Sequence, residues 1–280
     1  MAHSPEVGRL TAAQKRQDMA PLARLDLDRG GTVARVTLNR PDVRNAFNAE
    51  LIAELDRTFS ELDRRAGIRA IVLAGEGKVF SAGADITWMR ASLELSEEAN
   101  RRDAEALSDM YRAIDRCSKP VVARVHGAAI AGASGLCAVS DIVVAADNAV
   151  FGFTETKLGI IPAVISPFVL AKIGASQARA LFLTGERFGA QHALRIGLVH
   201  HVVPEADLDG AVSSVLDELM TASPTAVTAA KRTLQAIHEA SYEETRAISA
   251  RAIAAQRTSE EGQEGLRAFL ERRKPRWAEE

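Results

Sequence analysis

Cysteine is scarce in this chain: Cys117 and Cys137 are the only two in 280 residues. Both sit in apolar stretches, which favours buried free thiols over a disulfide. The six histidines are scattered, and His200 and His201 are adjacent rather than one helical turn apart, so no metal-ligand spacing is present. No run approaches the ~18 apolar residues a membrane span requires. Neither sign of charge dominates, the formal net charge being −2. That balance gives no electrostatic reason to expect a nucleic-acid partner or a polybasic membrane anchor. No G-x-G-x-x-G follows a strand, which removes the dinucleotide fingerprint. Gly132-Ala133-Ser134-Gly135 is not G-x-S-x-G, which removes the nucleophile elbow of a serine hydrolase. Residues 1–20 lack an apolar core of signal-peptide length and read as a mobile N-terminal arm, with a cytoplasmic location as the default expectation.

What is present is a succession of short β-rich runs in the first half. LARLDLD (22–28) and TVARVTLN (32–39) alternate about Arg29-Gly30-Gly31, a hairpin signal. RAIVLAG (69–75), VVARVHG (121–127) and DIVVAAD (141–147) are nearly continuous apolar runs, as expected of strands buried on both faces. Between them, residues 48–65 start at a capping Asn48 and carry Leu51, Leu55, Phe59 and Leu62 at helical spacing. Residues 96–117 open on Ser96 and carry Leu107, Met110 and Ile114. Strand–helix–strand order with buried strands predicts an α/β core. After about residue 165 the pattern turns helical, with segments 166–173, 176–184, 190–196, 207–221, 224–237, 241–258 and 260–273, and one strand-like run at 198–203.

Two stretches are thinned to small residues, each behind a buried strand. One is FSAGADI (80–86); the other is HGAAIAGASGLCAVSD (126–141), where a helix is expected to start near Gly132. The first-turn N–H groups of a helix have no intrahelical acceptor, and small side chains leave them open. One such amide from each turn, Ala84 and Gly132, would form an oxyanion hole for a carbonyl oxygen. Taken singly, each motif reads first as a tight turn or close packing; the two together, each behind a buried strand, favour the oxyanion hole. FGFTETKLGIIP (151–162) supplies a proton-moving group, Glu155, among Phe151, Phe153, Leu158, Ile160 and Ile161. Desolvation there would favour the neutral carboxyl; a salt bridge to Lys157 or a solvated loop acid is the alternative. Asp85 reads as a helix cap, Asp141 as a partner for buried turn donors, and Trp88 and Met89 as pocket lining or core.

LNRPDVRNAFN (38–48), GKVFSAGADI (77–86), KPVVARVHGAAIAGASGL (119–136), DIVVAAD (141–147), FGFTETKLGIIP (151–162), LTGERFGAQHALRIGLVHHVVP (183–204) and FLERRKPRW (269–277) together resemble the enoyl-CoA hydratase/isomerase (crotonase) superfamily. The resemblance implies an α/β spiral of ββα units over residues 21–205. It also implies a helical trimerisation region over 206–280, a homotrimer or homohexamer, and an acyl-CoA thioester substrate with no separate cofactor and no metal. It matches Ala84 and Gly132 to the oxyanion-hole positions and Glu155 to one catalytic glutamate. Arg44, Ala46, Ala82, Asp85 and Ile86, with Trp88 and Gly135, fall in segments that line the substrate and CoA site. The sequence departs at Gly135, where typical hydratases carry a second glutamate. Bacterial hydratases of the methylglutaconyl-CoA type look similar and share a glycine there; single-glutamate Δ3,Δ2-enoyl-CoA isomerases also keep only the Glu155 equivalent. The expectation is a hydratase acting on a short or branched 2-enoyl-CoA, with isomerisation and a non-catalytic acyl-CoA-binding or assembly role as alternatives.

Overall fold

The computed structural model describes residues 21–278; the arm expected at 1–20 lies outside them. β1 (Ala23–Asp28) and β2 (Val33–Leu38) form the expected antiparallel hairpin, with Ala23 opposite Leu38. β2 then pairs in parallel with β3 (Ala70–Gly75), β3 with β4 (Val121–Val125), β4 with β6 (Ile142–Ala146) and β6 with β9 (His201–Val203). The resulting six-stranded sheet runs β1-β2-β3-β4-β6-β9. Its central strands are buried almost end to end, which is why they read as unbroken apolar runs. A second sheet, β5-β7-β8, is made of the three-residue strands Ala128–Ile130, Val150–Gly152 and Arg187–Gly189. The expectation of one strand after residue 165 is corrected by β8: three residues are too few to show alternation, and β8 exists because Phe151 pairs with Phe188 across it.

The crossovers are helical. α1 (Ala49–Arg64) starts where Asn48 accepts the Leu51 N–H at 3.0 Å, and it buries Leu51, Ile52, Leu55, Phe59 and Leu62 on one face. α2 (Ile86–Ser92) is followed by α3 (Glu97–Arg116), which buries Met110, Tyr111 and Ile114. α4 (Gly132–Val139) begins at Gly132, as expected, and is buried for almost its whole length. The two helices expected at 166–173 and 176–184 are one, α5 (Ser166–Thr184), bent where Gly174 leaves helical geometry at φ 74° and ψ 159°.

α6 (Ala190–Arg195) precedes β9, and α7 (Leu208–Thr221), α8 (Pro224–Glu239), α9 (Tyr242–Thr258) and α10 (Glu260–Glu271) close the chain. α8 is tied to the core through polar contacts: Lys231 Nζ lies 2.6 Å from Asp141 Oδ2, which also accepts the Val121 N–H at 2.8 Å. Burial pushes the Cys117 thiol up to about 11 and the Cys137 thiol up to about 12, so both free cysteines stay protonated core residues.

One buried side chain fixes the turn that follows β3. Asn45 is fully buried at φ 55°, a left-handed conformation that asparagine tolerates better than most residues. Its Nδ2 donates to the carbonyls of Glu76 (2.8 Å), Val79 (2.9 Å) and Phe80 (3.1 Å), and its Oδ1 accepts the Arg40 N–H at 2.9 Å. Asn45→Ala removes these bonds and strands buried carbonyls, each worth ~1–3 kcal/mol. A loss of about 3 kcal/mol in urea unfolding is expected; a change below about 1 kcal/mol would show that the turn holds without it.

Candidate active site

The turn Phe80–Asp85 is held on both sides. On one side the Phe47 N–H donates to Gly83 O at 2.7 Å and the Asp85 N–H to Phe47 O at 2.8 Å, a one-residue parallel bridge between Phe47 and Ala84. On the other side Ser81 bridges to Ala129: its N–H reaches Ala128 O at 3.0 Å, and Ile130 N–H returns to Ser81 O at 3.2 Å. Because N–H groups alternate sides along extended chain, the bridge that uses Gly83 O and Asp85 N–H turns the Ala84 N–H away from Phe47. Gly83, at φ 91°, permits the approach: a Cβ there would meet Ile130 O at 2.7 Å and Ala131 Cβ at 3.3 Å. The two small-residue turns are therefore in van der Waals contact.

The second turn aims Gly132. Ala131 sits at φ 53° and ψ −119°, outside the regions an alanine prefers; holding such a residue costs ~1–3 kcal/mol. Its own N–H is satisfied by Gly152 O at 2.7 Å, and the next amide, Gly132, opens α4. Among the described residues no acceptor takes the Ala84 or the Gly132 N–H. Both residues line one cavity of about 250 Å³, together with Ala82, Trp88 and Met89 and the apolar side chains of Phe47, Leu107 and Ile165.

Glu155 lines the same cavity, at the start of a single 3-10 turn (Glu155–Leu158) that follows β7. Burial pushes its carboxyl above the usual carboxylate range, partly offset by a hydrogen bond from its own backbone. Oε2 is buried and has no hydrogen-bond partner. Among the described residues no cation pairs with it, so the Lys157 salt bridge is not formed. Phe153 is fully buried, whereas Leu158, Ile160 and Ile161, which line the cavity with Glu155, are largely exposed.

The other residues singled out by sequence are placed differently. Asp85 does not line the cavity. It caps α2, accepting the Thr87 N–H at 2.7 Å, and pairs with Arg40 Nη2 at 2.8 Å. Burial alone would raise its carboxyl; the Thr87 N–H and Arg40 outweigh this and hold it below the usual range. Arg44 and Ala46 serve the turn through their carbonyls, Arg44 O accepting Ala82 N–H at 2.9 Å and Ala46 O accepting from the Arg40 guanidinium. Ile86 is exposed. These three are not among the cavity-lining residues.

Gly135 is also not among them, and the physical reason is steric. A Cβ at Gly135 would lie 2.4 Å from Ile165 Cγ2 and 3.1 Å from both Cε1 and Cζ of Tyr111. Ile165 and Tyr111 fill the space a side chain at 135 would need, so the site is built around one carboxylate. Sequence reading missed both residues. Each looks like ordinary helical core, and their relation to Gly135 exists only across three elements. Among the described residues no group of three or more His, Cys, Asp and Glu is placed to hold a metal, and no helix is long and apolar enough to cross a membrane.

Comparisons with known proteins give the family and the fold. The family model for enoyl-CoA hydratase/isomerase matches residues 28–280. A short-chain-enoyl-CoA hydratase of Clostridium acetobutylicum is 31% identical over 250 residues, covering 89% of this chain and 95% of that protein. The crystal structure of an enoyl-CoA hydratase from Shewanella pealeana superposes with a TM-score of 0.87 at 38% identity, over 96% of this chain and 100% of that one. An enoyl-CoA hydratase structure from Mycobacterium smegmatis gives a TM-score of 0.88 at 32% identity, over 92% and 99%.

The unpartnered carboxylate generates a stability prediction. The folded-state carboxyl is raised above its unfolded value, so the folded chain binds more protons across that interval and ionisation of Glu155 destabilises the fold. The penalty is absent below the unfolded carboxylate pKa and complete above the folded one. Glu155→Gln should therefore raise Tm at pH 7, with the gain shrinking towards zero near pH 4. A Tm difference independent of pH would contradict a desolvated, unpaired carboxylate.

Proposed function

Since this chain belongs to the enoyl-CoA hydratase/isomerase family and has the crotonase fold, we propose that it adds water across the 2,3 double bond of a short or branched 2-enoyl-CoA. The observation that carries this reading is the meeting, in one apolar cavity, of two amides without acceptors and a desolvated carboxylate without a cation. The amides of Ala84 and Gly132 receive the thioester oxygen. Glu155 takes a proton from a water molecule as the water oxygen attacks C3. The electron pair of the double bond moves onto the thioester, which becomes an enolate held by the two amides. Protonated Glu155 then returns its proton to C2, completing the net addition of H and OH. The thioester itself acidifies C2, so the reading calls on no cofactor beyond the CoA carried by the substrate.

The raised pKa of Glu155 suits both halves of this cycle. It makes the carboxylate a stronger base than one in water, and the acid it becomes is formed without a competing cation. Loss of such an acid/base group typically costs ~10²–10⁴ in rate, and loss of one oxyanion donor ~10²–10³. A homo-oligomer is part of the same proposal. The C-terminal helices leave Leu234, Leu266, Phe269 and Leu270 more than half exposed, and exposed apolar surface of this kind suits self-association.

A second reading rests on the filled space over Gly135. With one carboxylate, a proton lifted from C2 of a 3-enoyl-CoA and returned at C4 would give isomerisation through the same enolate. A panel of 2-enoyl and 3-enoyl CoA esters turned over in H₂¹⁸O separates the two. The expected result is a product carrying ¹⁸O and one added water. A mass-neutral double-bond shift without label would assign isomerisation instead, and acyl-CoA binding without either would assign a binding protein.

A further inference from the structure

Tyr111 takes no place in the chemistry proposed above, yet its position is specific. It lies on α3 and is completely buried. Its hydroxyl donates to Gly132 O at 2.7 Å, at the first residue of α4. A Cβ at Gly135 would sit 3.1 Å from its ring edge, and one at Gly132 would sit 2.9 Å from its hydroxyl oxygen. The ring also packs against Phe168 of α5, centroids 5.9 Å apart. Tyr111 thus touches the first turn of α4 at two successive inward positions, 132 and 135, and is braced from α5 on the far side. Tyr111 is not among the cavity-lining residues.

This geometry bears on an amide that is otherwise lightly held. The peptide before Gly132 is flanked by Ala131 in a strained conformation, and nothing in α4 accepts the Gly132 N–H. A helix first turn so placed can relax by rotating that peptide, which would turn the amide out of the cavity. The Tyr111 hydroxyl anchors the carbonyl on the other side of Gly132, and glycine at 132 leaves room for the anchor. Burial, with the nearby Glu155 charge as a smaller contribution, raises the Tyr111 phenol well above its ordinary value, so it remains a hydroxyl donor.

We infer that Tyr111 is a positioning residue for the oxyanion amide of Gly132, acting through its hydrogen bond to the Gly132 carbonyl. The inference rests on the reading of Ala84 and Gly132 as the thioester-oxygen donors.

Tyr111→Phe tests it, because the ring that lies over Gly135 and packs on Phe168 is kept and one hydroxyl is removed. Two probes are compared in wild type and variant: acetoacetyl-CoA, whose bound enolate is followed by its ultraviolet absorbance, and butyryl-CoA, a saturated ester that forms no enolate. The expected result is about 10- to 100-fold weaker enolate binding, butyryl-CoA affinity within about threefold of wild type, and a matching fall in kcat with KM little changed. Equal enolate binding and equal kcat in a folded Tyr111→Phe protein would overturn the inference. An equal loss for both probes would also overturn it, since that marks general damage to the pocket. If wild type itself fails to favour the enolate, the oxyanion reading falls and the inference with it. If wild type favours the enolate without hydrating any ester, only the assignment of hydration falls. Should Tyr111→Phe fold poorly, Phe168→Leu, which removes the brace and keeps the hydroxyl, is expected to show the same enolate-selective loss in weaker form; no such selectivity would count against the inference.

Discussion

The structure depends on two half-buried backbone amides, those of Ala84 and Gly132, that find no acceptor among the described residues. An N–H without an acceptor costs free energy wherever water is kept from it, so the surrounding chain must hold it in place. The Phe80–Asp85 turn is laced to Phe47 on one side and to Ala129 on the other, and the first of these bridges turns the Ala84 N–H away from Phe47. The Gly132 amide is presented by a strained Ala131 whose own N–H is already committed to Gly152. Small residues follow from this arrangement: the two turns touch at Gly83 and Ala131, and a larger side chain at 83 would meet the Ile130 carbonyl.

The carboxylate extends the same logic. Glu155 is set at the edge of an apolar cavity with one oxygen unpartnered, and burial raises its pKa, offset only in part by its own backbone N–H. A second acid at 135 would change that balance through like-charge repulsion, but Ile165 and Tyr111 have already taken the room. The one-carboxylate site is thus a packing property of α3, α4 and α5, as much as a choice at a single position.

Much of this was legible in the chain. The unbroken apolar runs at β3, β4 and β6 announced strands covered on both faces, and Asn48, Asp85 and Ser96 announced the helices they cap. Ala84, Gly132 and Glu155 could be singled out because small-residue turns and an isolated acid are unusual against an apolar background, and the structure brings them to one cavity. Other parts were not legible, for physical reasons. β5, β7 and β8 are three residues each and owe their existence to pairing between distant segments. Asn45 looks like any loop asparagine until its three carbonyl partners are seen. Tyr111 and Ile165 read as core because they are core; what they exclude depends on a contact that no local pattern encodes.

The account stands on the polarisation of one carbonyl. The most direct test is ¹³C NMR of [1-¹³C]crotonyl-CoA bound to Glu155→Gln, a variant that keeps both amides and removes the base. The thioester carbon should move downfield of its position in free substrate, as two strong hydrogen bonds draw electron density onto the oxygen. A bound carbonyl resonating where it does in water would contradict the convergence of Ala84 and Gly132 on the thioester.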